Sequence, residues 1–531
     1  MTGRLKASIA AFAGLVGLAC TSAQRPADVV VYASGSDLES ANPLVTIHPL
    51  SRQVQRHALF VTMVRYDSAL VPQPYYARSW TWSADRRVLN MELEPTLRWH
   101  DGVQTTSRDV VYTLLTARDA RSGFARAADL ANVESVTAPT STTVRISFVG
   151  PQRELPSIFA ELPILPAHKL QRTAPAAMRS AEFNTNPVGN GPFRFVDRVS
   201  GQRWTFTRNV DFPISMGGAP HVRELVVAVV DEPTTKFAGL ASGDLDFAGI
   251  APTMASLANR DPMITVVDYP VLFSTALVFN THRAPFDDVR VREAIDLVVD
   301  RKRIVDAALA GYGTPTRGPV PPENPLAARL ETATDTLRAD SLLDAAGWRR
   351  GRDGWRVHDR PFTAELLTVG SGDNAVEQLI QADLAARGLR VEIRQLELAA
   401  FLARARAKEK SFDMLITGVP GDLSLAYLRA MFESSQRGGS LDYADFHSPS
   451  LDALFAKARD ARTDAEEREA WLAVQRELAR LVPASWLYHS RGLQGVSARM
   501  RNVTMDLRGE LATVSRWSTD GSSPKPAIAG R

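Results

Sequence analysis

Residues 186–195 read NPVGNGPFRF, and they open a stretch, residues 186–248, that decides the fold. Its two glycines permit the backbone angles of a tight corner, and an apolar strand begins directly after them. The paired strand is WTFT (204–207), and the β-rich run LVVAVV (225–230) follows the next corner. A helix over 232–241 then ends at a Ser-Gly-Asp stop. Few folds need a corner, a hairpin, a strand and a capped helix in this order.

Other local signals predict strands alternating with helices, which is the pattern of an α/β protein. An apolar strand is expected to end at Trp99, before the turn Asp101-Gly102. Thr106 with Asp109 predicts the capped start of a helix. The turn and the cap stabilise local structure and do not by themselves indicate a catalytic or binding role.

Two further regions predict helices by apolar periodicity. Asp287 or Asp288 is a good N-cap for a helix whose apolar face turns toward a core. The Arg-rich turn of this helix is expected to face water, with the side chains of Arg290, Arg292 and Glu293. Near the C terminus, apolar residues at helical spacing are expected in the core and not in a cofactor site: Leu451, Leu454, Phe455, Trp471, Val474, Leu478 and Leu481.

These motifs, taken together, resemble the family 5 extracellular solute-binding proteins, the peptide-binding subunits of ABC importers. The resemblance implies an α/β, two-lobe periplasmic-binding-protein-like fold with a hinge, of class II and cluster C type, with an extra subdomain in the first lobe. Further motifs similar to the family's follow in the family's order at residues 280–281, 285–294, 311–313, 318–322, 342–348 and 412–414.

The resemblance also implies where the chain crosses between lobes. Lobe one is expected to comprise residues 28–279 and 485–518, with its subdomain over about 70–180, and lobe two residues 280–484. Residues 519–531 have the composition of a disordered tail. Composition alone does not place these crossings.

The N terminus has the profile of an export signal. An apolar run over 9–19 follows two basic residues and is too short to span a bilayer, so residues 1–19 are expected to be a signal peptide. Residues 17–20, Gly-Leu-Ala-Cys, resemble a bacterial lipoprotein box, which implies that Cys20 is acylated after cleavage. Residues 20–27 would then form the lipidated N terminus and its tether, facing the periplasm or the cell exterior. An ordinarily cleaved signal with a stray cysteine is the alternative.

Composition excludes several classes of protein. The sequence has 62 Lys and Arg against 59 Asp and Glu, and removing residues 1–19 takes away two basic residues, so the mature chain is near neutral and no nucleic-acid partner is expected. Cys20 is the only cysteine, which leaves no internal disulfide and no thiolate metal site. We expect a monomer.

The sequence offers little that could support catalysis. It has no Gly-x-Ser-x-Gly elbow, no His-Glu-x-x-His and no phosphate-binding loop. Its nine histidines are scattered, so we expect no catalytic residue, no metal site and no cofactor. The hydrolase alternative rests on His100 beside Asp101 as an acid/base pair. His168 is expected to be a local hydrogen-bonding residue.

The resemblance implies a mechanism of hinge closure on a solute, followed by delivery to a membrane ABC permease and its ATPase subunits. In the peptide-binding members, an Asp shortly after a Gly-Trp pair anchors the peptide ammonium. Here the corresponding stretch holds Gly418, Val419 in place of the Trp, and Asp422 as its only carboxylate. The alternative for Asp422 is a turn residue that caps the helix starting near Ser424.

Five more residues are candidates for contact with the solute. Ser34, Gly35 and Ser36 end the first strand, which faces the cleft in relatives, and Phe273 and Thr275 lie near a lobe crossing. The expected solute is a peptide. The alternatives are an opine, a sugar or a metal chelate, or a surface binding protein that serves no importer.

Overall fold

A computed structural model describes residues 25–46, 48–370, 374–421, 425–439 and 441–519, with only the backbone at Ala128 and Ala399. The predicted signal peptide, Cys20, Asp422 and nearly all of the predicted tail lie outside the described residues. In the described ranges, no helix combines the length and the apolar character that crossing a membrane would need.

The described part of the chain alternates strands with helices, as predicted. The strands are β1 (Val29–Ser34), β2 (Val64–Tyr66), β3 (Pro72–Pro74), β4 (Ala77–Trp82), β5 (Val88–Leu93), β6 (Val133–Thr140), β7 (Thr143–Phe148), β8 (Phe193–Val199), β9 (Arg203–Arg208), β10 (Glu224–Val229), β11 (Phe247–Gly249), β12 (Ile264–Phe279), β13 (Gly313–Pro315), β14 (Arg349–Arg350), β15 (Arg356–Val357), β16 (Thr363–Val369), β17 (Arg390–Leu396), β18 (Met414–Pro420) and β19 (Ala484–Ser497). The α-helices are α1 (Pro49–Val54), α2 (Ser107–Arg118), α3 (Ile158–Glu161), α4 (Ala167–Leu170), α5 (Pro233–Ser242), α6 (Ala255–Ala258), α7 (Val289–Val298), α8 (Arg301–Ala308), α9 (Thr336–Ala345), α10 (Ala375–Ala386), α11 (Leu398–Ala405), α12 (Ala426–Phe432), α13 (Pro449–Asp460) and α14 (Asp464–Leu481).

One large mixed sheet runs through both lobes. Its strand order is β17-β16-β18-β12-β19-β11-β1-β10-β9-β8, with β13 pairing β19 off this path. The two central strands, β12 of 16 residues and β19 of 14, pair antiparallel and are the longest described. They pair with β18 toward one end and with β11 toward the other, so these two strands connect the halves of the sheet.

Apolar clusters lie on either side of this central pair. The largest packs around Trp99, Trp204 and Trp517, and the clusters on the other side hold Trp471 and the end of β12 at Phe279. The pairing of β12 with β19 is irregular between residues 270 and 276, where the cluster membership changes. We therefore propose crossings near 270–275 and 489–492, within the two strands and a few residues from the sequence-based bounds.

A separate four-stranded antiparallel sheet, β4-β5-β7-β6, lies inside the range predicted as a subdomain. Helix α2 begins at the capping box of Thr106 and Asp109, as predicted. The strand expected before Asp101 is not formed: Arg98 makes only an isolated bridge to Gln104 across the turn. Trp99 is buried by packing instead, and Gly102 takes the positive φ of 88° that the turn requires.

The predicted stop after residue 242 and the predicted cap at Asp288 are present, and one prediction about exposure is wrong. Glu232 caps α5, which ends at Gly243 with φ 82°, and Asp288 caps α7. Arg292, expected in water, is only 3% exposed. Its guanidinium donates to the carbonyl oxygens of Phe286, Leu481 and Val482, so it ties α7 to the end of α14.

Candidate ligand-binding cleft

Two adjacent cavities lie between the lobes. Cavity A has a volume of about 880 Å³ and is lined mainly by residues of the ranges 49–75, 269–273 and 504–516. Cavity B has a volume of about 920 Å³ and is lined by residues of 39–55 and 123–163 on one side and of 368–443 on the other. Both cavities are lined by Arg52, Glu161, Phe273, Pro420 and Gly421, which come from both lobes.

Three arginines converge on one carboxylate where the cavities adjoin. Glu161, at the end of α3, accepts a hydrogen bond from Arg52 of α1 at 3.1 Å and another from Arg126. Arg56, on the π-helical turn Gln55–Leu59, lies 3.9 Å from the same oxygen. Burial would raise the pKa of Glu161, but the guanidiniums outweigh it and hold the pKa below its usual value. Arg126 also donates to Asp129.

Cavity B has further cationic side chains. Arg179 and Arg406 both line it, from opposite lobes. Within the described ranges, neither guanidinium has a carboxylate at ion-pair distance, although Arg179 makes a 3.4 Å bond to the Gly123 carbonyl. These two arginines are exposed and solvated in the absence of a ligand. An anionic group in cavity B would find two unpaired cations there.

Cavity A contains a carboxyl group, that of Glu510, whose pKa is raised and not lowered like that of Glu161. Glu510 accepts a hydrogen bond of 2.8 Å from Tyr269 Oη, and burial raises the pKa of the Glu510 carboxyl. No cationic side chain in the described part of the chain forms an ion pair with it. An ammonium group in cavity A would supply the missing counter-charge.

The structure brings two of the predicted site residues together. Phe273 lines both cavities, and Gly418 lines cavity B on the neighbouring strand β18. A Cβ at Gly418 would lie 2.0 Å from Cζ of Phe273, so the ring covers the glycine. Glycine is therefore required for this ring position. Asp422 lies outside the described residues, but its neighbour Gly421 lines both cavities.

The remaining predicted residues lie away from the cavities. Val419 is 1% exposed and packs in the apolar cluster around Trp471, and Thr275 is 8% exposed. Ser34 Oγ donates to the Ser36 carbonyl at 2.5 Å, and Ser36 Oγ lies 2.9 Å from Nε2 of His48. Ser34, Gly35 and Ser36 thus form a local turn that lines neither cavity. Their role in ligand binding stays a prediction.

The groups of the hydrolase alternative also lie outside the cavities. His100 bonds to the Gly191 carbonyl at 3.0 Å, and burial lowers its pKa to about 4. Asp101 pairs instead with His168, at 2.9 Å, as expected of a local hydrogen-bonding histidine.

A buried serine–histidine pair is present elsewhere. Ser274 Oγ lies 2.7 Å from Nδ1 of His489, and burial lowers the pKa of His489 to about 4. The two side chains are 4% and 3% exposed and line neither cavity.

The fold and the charged cleft between lobes define a two-lobed solute-binding protein. The family described as "Bacterial extracellular solute-binding proteins, family 5 Middle" matches residues 71–439. The chain belongs to this family, which confirms the resemblance. It is 26% identical to Protein XP55 of Streptomyces lividans over 443 residues, which is 83% of this chain and 80% of that one.

Solved structures share the fold. NikZ of Campylobacter jejuni, in complex with Ni(L-His), superimposes with a TM-score of 0.81 at 21% identity, over 93% of this chain and 100% of that one. The oligopeptide-binding protein AppA of Bacillus subtilis, in complex with a nonapeptide, has a TM-score of 0.81 at 20% identity, over 93% of this chain and 99% of that one.

Proposed function

We propose that the protein captures a small, peptide-like solute between its lobes and delivers it to an ABC transporter for import. The observation that carries the proposal is the pair of cavities with common walls from both lobes, since a solute there contacts both and favours the closed state. The same fold holds a nonapeptide in AppA. A cleft of this kind needs no catalytic group, and we infer that the protein catalyses nothing itself.

The charges of the cleft support a solute with both an ammonium and an anionic group. Glu510 in cavity A and Asp422, next to Gly421, are the candidates for the ammonium. Arg179 and Arg406 in cavity B are the candidates for a carboxylate. A desolvated charge without a partner would oppose closure by several kcal/mol, so each group selects its opposite.

A second candidate solute is an anionic metal chelate. Arg179 and Arg406 in cavity B favour it, and NikZ holds a complex of nickel with histidine. Mass spectrometry of the ligand released from protein purified from its own host separates the candidates, because a peptide and a chelate differ in mass and metal content. Release of neutral sugars alone would contradict both.

Closure should be visible in solution. Saturating ligand should reduce the radius of gyration of the monomer, because the lobes approach each other about the irregular part of β12 and β19. Small-angle X-ray scattering with and without the released ligand measures this change. An unchanged radius at saturation would contradict a hinged receptor.

We also propose that the mature chain is a lipoprotein acylated on Cys20. The polar residues that follow Cys20 would tether the folded part to the membrane surface, and more than one acyl chain would make the attachment stable. The intact mass of the protein from its own host should show acyl groups on an N-terminal Cys20. A mature chain that retains residues 1–19, or starts elsewhere, would contradict the proposal.

A further inference from the structure

A loop of the second lobe brings together three residues of types that bind metal ions. Asp442, Asp445 and His447 lie between α12 and α13, and one ligand atom of each lies within 4.8 Å of the others. Nε2 of His447 is 3.4 Å from Oδ2 of Asp442 and 3.7 Å from Oδ1 of Asp445. None of the three lines cavity A or cavity B.

The hydrogen bonding of this group is incomplete. The His447 side chain is 8% exposed, and neither of its ring nitrogens has a hydrogen-bond partner among the described residues. The Asp442 side chain is 2% exposed, and its Oδ1 also has no partner in the part of the chain that the structure describes. Buried polar atoms are nearly always satisfied, because leaving one unpaired costs free energy. Here the unpaired nitrogen faces two carboxylates.

We propose that Asp442, Asp445 and His447 bind a divalent metal ion of the zinc type. Zinc accepts imidazole nitrogen and carboxylate oxygen at about 2.0–2.1 Å, so two ligands at a tetrahedral angle lie about 3.3 Å apart. The two separations between His447 and the aspartates, 3.4 and 3.7 Å, are close to that spacing. Three protein ligands leave one position for water.

The surrounding groups hold the carboxylates in place. The Gly438 amide donates to Oδ2 of Asp442 at 2.8 Å, and Arg437 Nε donates to Oδ1 of Asp445 at 3.1 Å. Lys410 donates to the backbone carbonyl of Asp442 and not to its carboxylate. Such outer contacts are usual around metal ligands and fix their orientation. The rival arrangement is a protonated His447 in a salt bridge with the two aspartates.

The site adjoins the wall of the cleft. Leu441 and Tyr443, on either side of Asp442, both line cavity B. A bound metal would fix this wall and so raise ligand affinity. That coupling rests on the proposed function, whereas binding of the metal itself does not.

Zinc titration of the untagged mature protein, stripped with a chelator, tests the metal site. Calorimetry should show one Zn²⁺ per chain, and Zn²⁺ should raise the melting temperature. His447→Ala should weaken binding by at least about tenfold, as loss of a contributing group at a metal site does. His221→Ala removes an exposed histidine elsewhere and should bind zinc as the parent does.

Two outcomes would overturn the metal site. The first is no saturable zinc binding, or equal binding by the parent and His447→Ala. The second is a melting temperature that changes with neither zinc nor the chelator. If His447→Ala does not fold, Asp445→Asn serves instead, since that side chain is 23% exposed. Failure of ligand-induced closure with intact zinc binding would count against the proposed function alone.

Discussion

Replacing Asp296 with asparagine should lower the free energy of unfolding by about 3–5 kcal/mol, because it leaves the buried guanidinium of Arg301 and the partly buried one of Arg317 without their counter-charge. Asp296 is 4% exposed and accepts hydrogen bonds from Arg301, from Arg317 at 2.8 Å and from Ser485 at 2.6 Å. Arg301 is itself 1% exposed and also donates to the Trp486 carbonyl. Denaturant unfolding followed by tryptophan fluorescence measures the loss.

The loss of unfolding free energy in Asp296→Asn should become smaller as the pH falls. Burial raises the pKa of Asp296, but Arg301 and Arg317 outweigh it, so the folded-state pKa lies below the usual value. The stabilisation is therefore complete above the unfolded pKa, near 4, and disappears as the pH falls through the folded pKa. The difference between parent and variant should be largest at neutral pH and shrink in acid.

A matched control is available on the next helix. Asp306 pairs with Lys302 on the surface of α8, with side-chain exposures of 55% and 79%. Asp306→Asn should leave the free energy of unfolding nearly unchanged, because exposed ion pairs contribute little to stability. Equal effects of the two substitutions at pH 7 would show that the buried network does not stabilise the fold.

Much of the fold could be predicted because its signals are local. The caps at Thr106, Glu232 and Asp288 each join residues two or three positions apart, which a sequence displays directly. Arg292 could not be predicted in the same way. Its partners at Leu481 and Val482 are about 190 positions away, and an arginine on a helix is exposed unless such carbonyls happen to receive it.

The cleft was predicted only in part for the same reason. Phe273, Gly418 and the stretch before Asp422 could be placed by the resemblance, whereas Val419 is buried although it stands where the family has a Trp. Glu161 was missed because its arginine partners are distant from it in the sequence, Arg126 by 35 positions and Arg52 by 109.

The candidate metal site could have been found in the sequence. Asp442, Asp445 and His447 lie within six residues, but a criterion of histidine pairs at helical spacing excludes a set with a single histidine in a loop.

Asp422→Asn should weaken binding of a peptide with a free N terminus by about 2–5 kcal/mol, if Asp422 is the partner of the buried ammonium. The neutral amide cannot balance that charge and accepts a weaker hydrogen bond. Acetylating the peptide should then weaken its binding to the parent strongly and its binding to Asp422→Asn much less. The reason is that Asp422→Asn has already lost the interaction between the ammonium and the carboxylate. Calorimetry with the free and acetylated forms of the released peptide measures all four combinations.

Glu510→Gln is the matched test of the other carboxylate. Glu510 lies in cavity A with Tyr269 as its hydrogen-bond donor, and burial raises its pKa, so it is the weaker candidate for a permanent negative charge. Acetylation of the peptide should therefore weaken its binding to Glu510→Gln as much as its binding to the parent. The opposite outcome is that acetylation weakens peptide binding only slightly in Glu510→Gln and strongly in Asp422→Asn. In that case the ammonium lies in cavity A and Asp422 is only a turn residue. If acetylation costs all three proteins equally, neither carboxylate binds the ammonium, and the arginines of cavity B become the main determinants of an anionic solute.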